Sequence, residues 1–447
     1  MISVEKEGVP KETETIAAKR AARLSEKLAR ARLRISSDKA WWSNAAVEFI
    51  SVSSLVVLNL ILVIPFINTS APGIPYSGPI LPLLAKVLEY TGVSLPYAFQ
   101  SVNIMFFLLF PVTFYIFVKY LTDRKLIALI ATLFASLPFY PFSEIRANLA
   151  FIGGDAPHIA SQTVTPVALY GIMAFLKGGG VKNFVIAAIF SAIVALISPF
   201  GFLTFSFFAG ISGFSEMLLG RGRLKFFRLI SVFIASASLT AFWYNPAFTY
   251  WIITGPMGED FRFMITKLFP ISFFALPVLG SFGYLLFDRK PNLQPLFQAC
   301  FFTISFCLIA LVGGGIFPSH PSRYVAELGF SLAFILGVVI VRLVDYLRFL
   351  PNGSLSFAGL GNINKKLIAD ITVVALFIIL ISGIIVGRSR LIKEEERVLG
   401  IWSGVSKGEI WVAKDRFGGY SRTLGYAITG GSIIGLTFIS RFRKPES

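Results

Sequence analysis

Cysteine and histidine are nearly absent from this chain, with two of each in 447 residues. Cys300 and Cys307 sit in one apolar stretch, Leu293 to Val312, where neither a disulfide nor a metal site is expected. Charge is scarce as well: Asp, Glu, Lys and Arg make up 15% of the residues, against about a quarter in soluble domains. No Walker motif, no GxGxxG after a strand, no HExxH and no CxxC pair occurs, so the chemistries those motifs carry have no basis here. Neither an internal repeat nor a heptad pattern is present. No cleavable signal peptide is visible, because the first apolar run follows some forty polar residues; the first span is expected to serve as its own signal.

What is abundant is apolar sequence: 55% of residues are hydrophobic, and the mean hydropathy is +0.74. About eleven long apolar stretches lie between residues 45 and 390, each near the ~20 residues a helix needs to cross a bilayer. The expected spans are 45–67, 99–121, 124–141, 158–176, 181–198, 200–219, 229–248, 268–287, 293–315, 324–344 and 367–387. Residues 181–219 are too long for one span, and Ser198-Pro199-Phe200-Gly201 supplies a reversal.

The cations are sorted between alternate gaps. One set of gaps holds Lys119, Arg124, Lys125, Lys177, Lys182, Arg221, Arg223, Lys225, Arg228, Arg289, Lys290, Arg342, Arg348, Lys365 and Lys366. The other holds only Lys86, Arg146, Arg262, Lys267 and Arg323. Positive-inside sorting places the first set and the N-terminus in the cytoplasm, and an odd span count places the C-terminus outside. The net charge of +17 is therefore read as cytoplasmic flanks facing anionic headgroups, with membrane lipid and not nucleic acid as the partner. The expected fold class is an all-α, polytopic transmembrane bundle in the cell membrane.

Three segments follow. Residues 1–44 form a basic cytoplasmic segment in which Ile16, Arg20, Leu24 and Leu28 recur at helical spacing. Residues 45–390 form the transmembrane domain. Residues 391–447 read as a small extracytoplasmic tail, in which GEIWVAKD alternates like a strand and YAITGGSIIG is too short and Gly-rich for a span. In the first outer loop, 68–98, LPLLAKVLEY reads as an interfacial helix among five prolines.

Ionisable groups at membrane depth are costly, so those near outer span ends are the candidates for chemistry. Glu144, Arg146, Asp155 and His158 fall within SEIRANLAFIGGDAPH. A carboxylate beside an imidazole suits a general base or a divalent-cation ligand, Asp155 foremost. The alternative is that Asp155 only caps the following helix. His320, Arg323 and Glu327 fall within FPSHPSRYVAELG; Arg323 would suit a phosphate, or would pair with Glu327 four residues on. Glu259-Asp260-Arg262, and Lys86 with Glu89, read more readily as solvated turns and faces.

These landmarks, in order, resemble the GT-C superfamily of polytopic glycosyltransferases and its uncharacterised prokaryotic relatives. The order is a long first outer loop with an interfacial helix, then GGDAPHIASQTVTPVALYG, ALISPFGFLT, AFWYNPAF and PSRYVAELGFSLAFIL. The resemblance covers roughly residues 45–390 and departs in the first outer loop, which holds Glu89 and no Asp where the family carries an acidic residue or pair. It implies transfer of a sugar from a polyprenyl-phosphate donor on the outer face. Asp155 would be base or metal ligand, with His158 and Glu144 assisting. Arg323, His320 and Arg146 would be the substrate-binding residues. A non-catalytic scaffold of the same fold and a small-molecule transporter are the competing readings.

Overall fold

The computed structural model describes residues 45–69, 78–254, 262–263, 266, 280–281, 291–312, 321–349 and 419–442. All regular structure among the described residues is helical. The expected spans 268–287 and 367–387, the N-terminal segment and GEIWVAKD lie wholly or almost wholly outside them.

The first helix, α1 (Ala45–Val63), runs on into a 3-10 turn, Ile64–Phe66. The expected interfacial helix is α2 (Ile80–Glu89), whose Leu81 and Ala85 are buried while Leu83 and Val87 are exposed. Next come α3 (Leu95–Thr122) and α4 (Lys125–Ser136). The latter stops short of the expected 124–141 because Leu137, preceding Pro138, is extended. A five-residue helix, α5 (Ser143–Ala147), continues into a π turn, Asn148–Ile152. Then follow α6 (Ala156–Gly178), α7 (Val181–Ile197) and α8 (Pro199–Leu218). The reversal between α7 and α8 falls at Ser198-Pro199 as expected, where Ser198 Oγ accepts from the Gly201 amide at 3.1 Å. The remaining helices are α9 (Gly222–Thr240), α10 (Pro246–Thr254), α11 (Gln294–Val312), α12 (Val325–Phe349) and α13 (Tyr420–Phe442).

Five of these stretches are long and apolar enough to cross a bilayer: Ala45–Phe66, Leu95–Thr122, Ala156–Gly178, Pro199–Leu218 and Val325–Asp345. Their core is aromatic. Phe330 of α12 packs on Phe110, Phe114 and Phe208, and Phe208 packs on Phe302 and Phe306 of α11.

Among the described residues, several cations of the first set gather at one end of the helices. Glu48 accepts from Lys119, from Lys125 at 2.7 Å and from Tyr115 at 2.7 Å. Arg124 bonds Asp345 at 2.5 Å, and Glu216 meets Lys225 at 3.0 Å and Gln294 at 2.6 Å. Tyr120 and Tyr170 touch edge to face at 4.6 Å, so α3 and α6 run in register toward that end.

The tail is described from Gly419 to Phe442. YAITGGSIIG is part of α13, a 23-residue helix packed on α9. Thr429 Oγ1 donates to the Ser238 carbonyl at 3.0 Å and accepts from the Phe242 amide at 2.9 Å. Ser421 Oγ accepts from the Ala247 amide at 3.0 Å. Later residues of α13 thus meet earlier residues of this partner segment, so α13 is antiparallel to α9. A Cβ on Gly425 would lie 2.3 Å from the Ala241 carbonyl oxygen, which is why the backbones approach there only with glycine.

Candidate functional site

The stretch between the expected spans 124–141 and 158–176 was expected to be an outer loop, yet it folds into the bundle. Ala147 and residues 149–152 are buried, and Phe151 stacks on Phe66 at 5.0 Å and meets Phe107 at 5.4 Å. Gly329 makes room for it on α12, since a Cβ there would lie 2.1 Å from the Pro141 carbonyl oxygen. This packing carries one sequence cluster against the other.

Asp155 and Arg323, 168 residues apart, form a two-point pair, Nε to Oδ2 at 2.7 Å and Nη2 to Oδ1 at 3.0 Å. His158 lies between two carboxylates. Its Nε2 is 2.6 Å from Glu327 Oε1, and its Nδ1 is 3.3 Å from Asp155 Oδ2 without hydrogen-bond alignment. Phe200 floors the cluster, with its ring 3.8 Å below the Arg323 guanidinium and in edge contact with His158 at 4.7 Å.

Burial acts to raise the Asp155 carboxyl, but His158 and Arg323 outweigh it and hold the group well below the usual carboxylate range. Burial acts to lower the Arg323 guanidinium, and Asp155 overcomes that and raises it.

Both local readings of these residues give way. Asp155 stands at the N-cap of α6, but its side chain makes no capping bond; only its carbonyl accepts, from the amides of His158 and Ile159. Arg323 lies in the 3-10 turn Pro321–Tyr324 and pairs with Asp155, while Glu327 faces His158. The long-range partners win because both carboxylates face other helices.

The other described candidates lie apart from this tetrad. Glu144 Oε2 accepts from the Tyr140 amide at 3.0 Å. Arg146 is 2% exposed, and its guanidinium lies 3.5 Å from the Phe110 ring and 4.8 Å from that of Phe107. Its Nε donates to Gln162 Oε1 at 3.1 Å. Of the outer acidic turn, Arg262 donates to the Ile253 carbonyl, while Glu259 and Asp260 lie outside the described residues, as does His320. Lys86 and Glu89 form a surface pair at 2.5 Å.

Gln162, Phe107, Phe110 and Phe200 were not singled out by sequence reasoning. Phe200 sits in the Ser-Pro-Phe-Gly reversal, which reads as a turn until tertiary packing brings a charge over its ring.

A divalent cation does not fit here. The Asp155 carboxylate is turned to a guanidinium, and no three His, Cys, Asp or Glu side chains converge as metal ligands among the described residues. No family model, curated protein or solved structure matches this chain.

Proposed function

We propose that this chain is a multi-pass membrane protein of GT-C type that transfers a sugar from a polyprenyl-phosphate donor. The reading places about eleven apolar spans in the cell membrane, with the basic helix ends cytoplasmic. The observation that carries it is the Asp155–Arg323 pair, which sets a carboxylate and a guanidinium side by side within the bundle.

The donor phosphate competes with Asp155 for the Arg323 fork, since both present two oxygens side by side. As Arg323 moves to the phosphate, Asp155 loses one of the cations holding it down and becomes the better base. It then takes the proton of the acceptor hydroxyl. The acceptor oxygen bonds the anomeric carbon, the bond from that carbon to the phosphate oxygen breaks, and the polyprenyl phosphate leaves with the electron pair.

The second reading, a non-catalytic scaffold, is favoured by the way Asp155, Arg323, His158 and Glu327 are already matched to one another. Asp155→Asn separates the two. The variant keeps the side-chain size but cannot act as a base, so transfer by membranes carrying it should fall by about 10²–10⁴-fold. Absence of transfer in the parent chain turns the assignment toward the scaffold, and full transfer in Asp155→Asn rules Asp155 out as the base.

A further inference from the structure

Arg146 is the charged group of this region that its neighbours leave least satisfied. Its Nη1 and Nη2 are buried without a hydrogen-bond partner, and so is Nε2 of Gln162, the residue whose Oε1 holds Arg146 Nε. Among the described residues no carboxylate pairs with it. Phe110 and Phe107 cover the guanidinium from the side of α3, so its unmet hydrogen-bonding capacity lies along the edge that carries Nη1 and Nη2. Every unmet group here, on Arg146 and on the Gln162 amide nitrogen, is a donor.

The depth adds to the case. Phe107 and Phe110 lie about 18–22 Å along α3, a helix about 42 Å long, so the charge sits half-way along a membrane-length element. Unmet donors on a buried cation are expensive at such a place, and a ligand that presents two adjacent oxygens relieves them.

We propose that Arg146 and Gln162 form a binding site for a small oxyanion with the geometry of phosphate. The site is distinct from the Asp155–Arg323 pair and requires neither the transferase nor the scaffold reading. Arg146 Nη1 and Nη2 take two oxygens, and Gln162 Nε2 donates beside them.

The test uses the full chain in neutral detergent, with thermal unfolding followed against inorganic phosphate and against sodium chloride of equal ionic strength. Phosphate should raise the midpoint saturably and chloride should not. Arg146→Lys keeps the charge without the fork and should need about tenfold more phosphate. Arg146→Met should lose the response, because the donors that hold the oxyanion are gone. Gln162→Leu should weaken the response and provides the reading if Arg146→Met fails to fold. A parallel arm in phosphatidylglycerol against phosphatidylcholine nanodiscs identifies the source. An Arg146-dependent response to the anionic lipid alone supports a headgroup phosphate as occupant. A phosphate response unchanged in Arg146→Met or Gln162→Leu overturns the site. So does a parent that answers to neither source.

Discussion

At the scale of single residues, the pairing between Asp155 and Arg323 sets the first expectation. Arg323→Ala would strand a recessed carboxylate and should destabilise the chain by about 2–3 kcal/mol, well above the few tenths expected of an i,i+4 helix pair. A double-mutant cycle with Asp155→Ala, read by thermal unfolding, should return most of that loss as coupling; a coupling near zero would make the contact energetically idle. The depressed Asp155 carboxyl adds a pH dependence. Its contribution is full above the ordinary carboxyl value of about 3.9 and is lost as pH falls toward the lower folded value. Arg323→Ala should flatten the acid limb of the stability profile. The sequence picks out Asp155, His158, Arg323 and Glu327 as chemistry-bearing, but it assigns them local partners, a cap and an i,i+4 pair. Spacing along one helix is the only proximity a sequence displays. Contacts across 168 and 169 residues require the packed bundle.

At the scale of elements, α13 carries the clearest consequence. Its residues from Ser421 to Thr429 run from Ala247 of α10 to Ser238 of α9, and a further thirteen residues at about 1.5 Å each cover about 20 Å. The same distance takes α9 from Ser238 back to Lys225 in its basic loop. We therefore expect the end of α13, with Arg441, Arg443 and Lys444 around it, on the cytoplasmic side, where positive residues belong. A thiol placed at Ser447 should be spared by an impermeant reagent added outside sealed cells; ready labelling would restore the extracytoplasmic tail. Gly425→Val would press a side chain into the Ala241 carbonyl and should undock α13, costing about 1–3 kcal/mol. Loss of cross-linking between cysteines placed at Ser238 and Thr429 would report it. The low hydropathy of α13 left its docking on α9 illegible in the sequence. Ser421, Gly425 and Thr429 are small and polar because they face another helix, and a hydropathy reading scores such a face as a poor span.

Across the whole molecule, the cations gathered at one end around Glu48, Asp345 and Glu216 make that end the expected cytoplasmic one. A thiol at Ser77 should label from outside and one at Ser37 should not; the reverse pattern would invert the bundle. The existence of most helices was legible in the sequence because a helix satisfies its backbone hydrogen bonds within itself, so an apolar run of sufficient length suffices. The reversal at Ser198-Pro199 was legible for the same local reason. The sequence alone thus determined the helical class and, among the described residues, the placement of most helices. The tertiary structure decided which charges meet and where. It drew the 137–155 segment into the bundle and left the Arg146 fork unmatched beside it, because a buried charge is settled by the groups that other helices bring to it, wherever they lie along the chain.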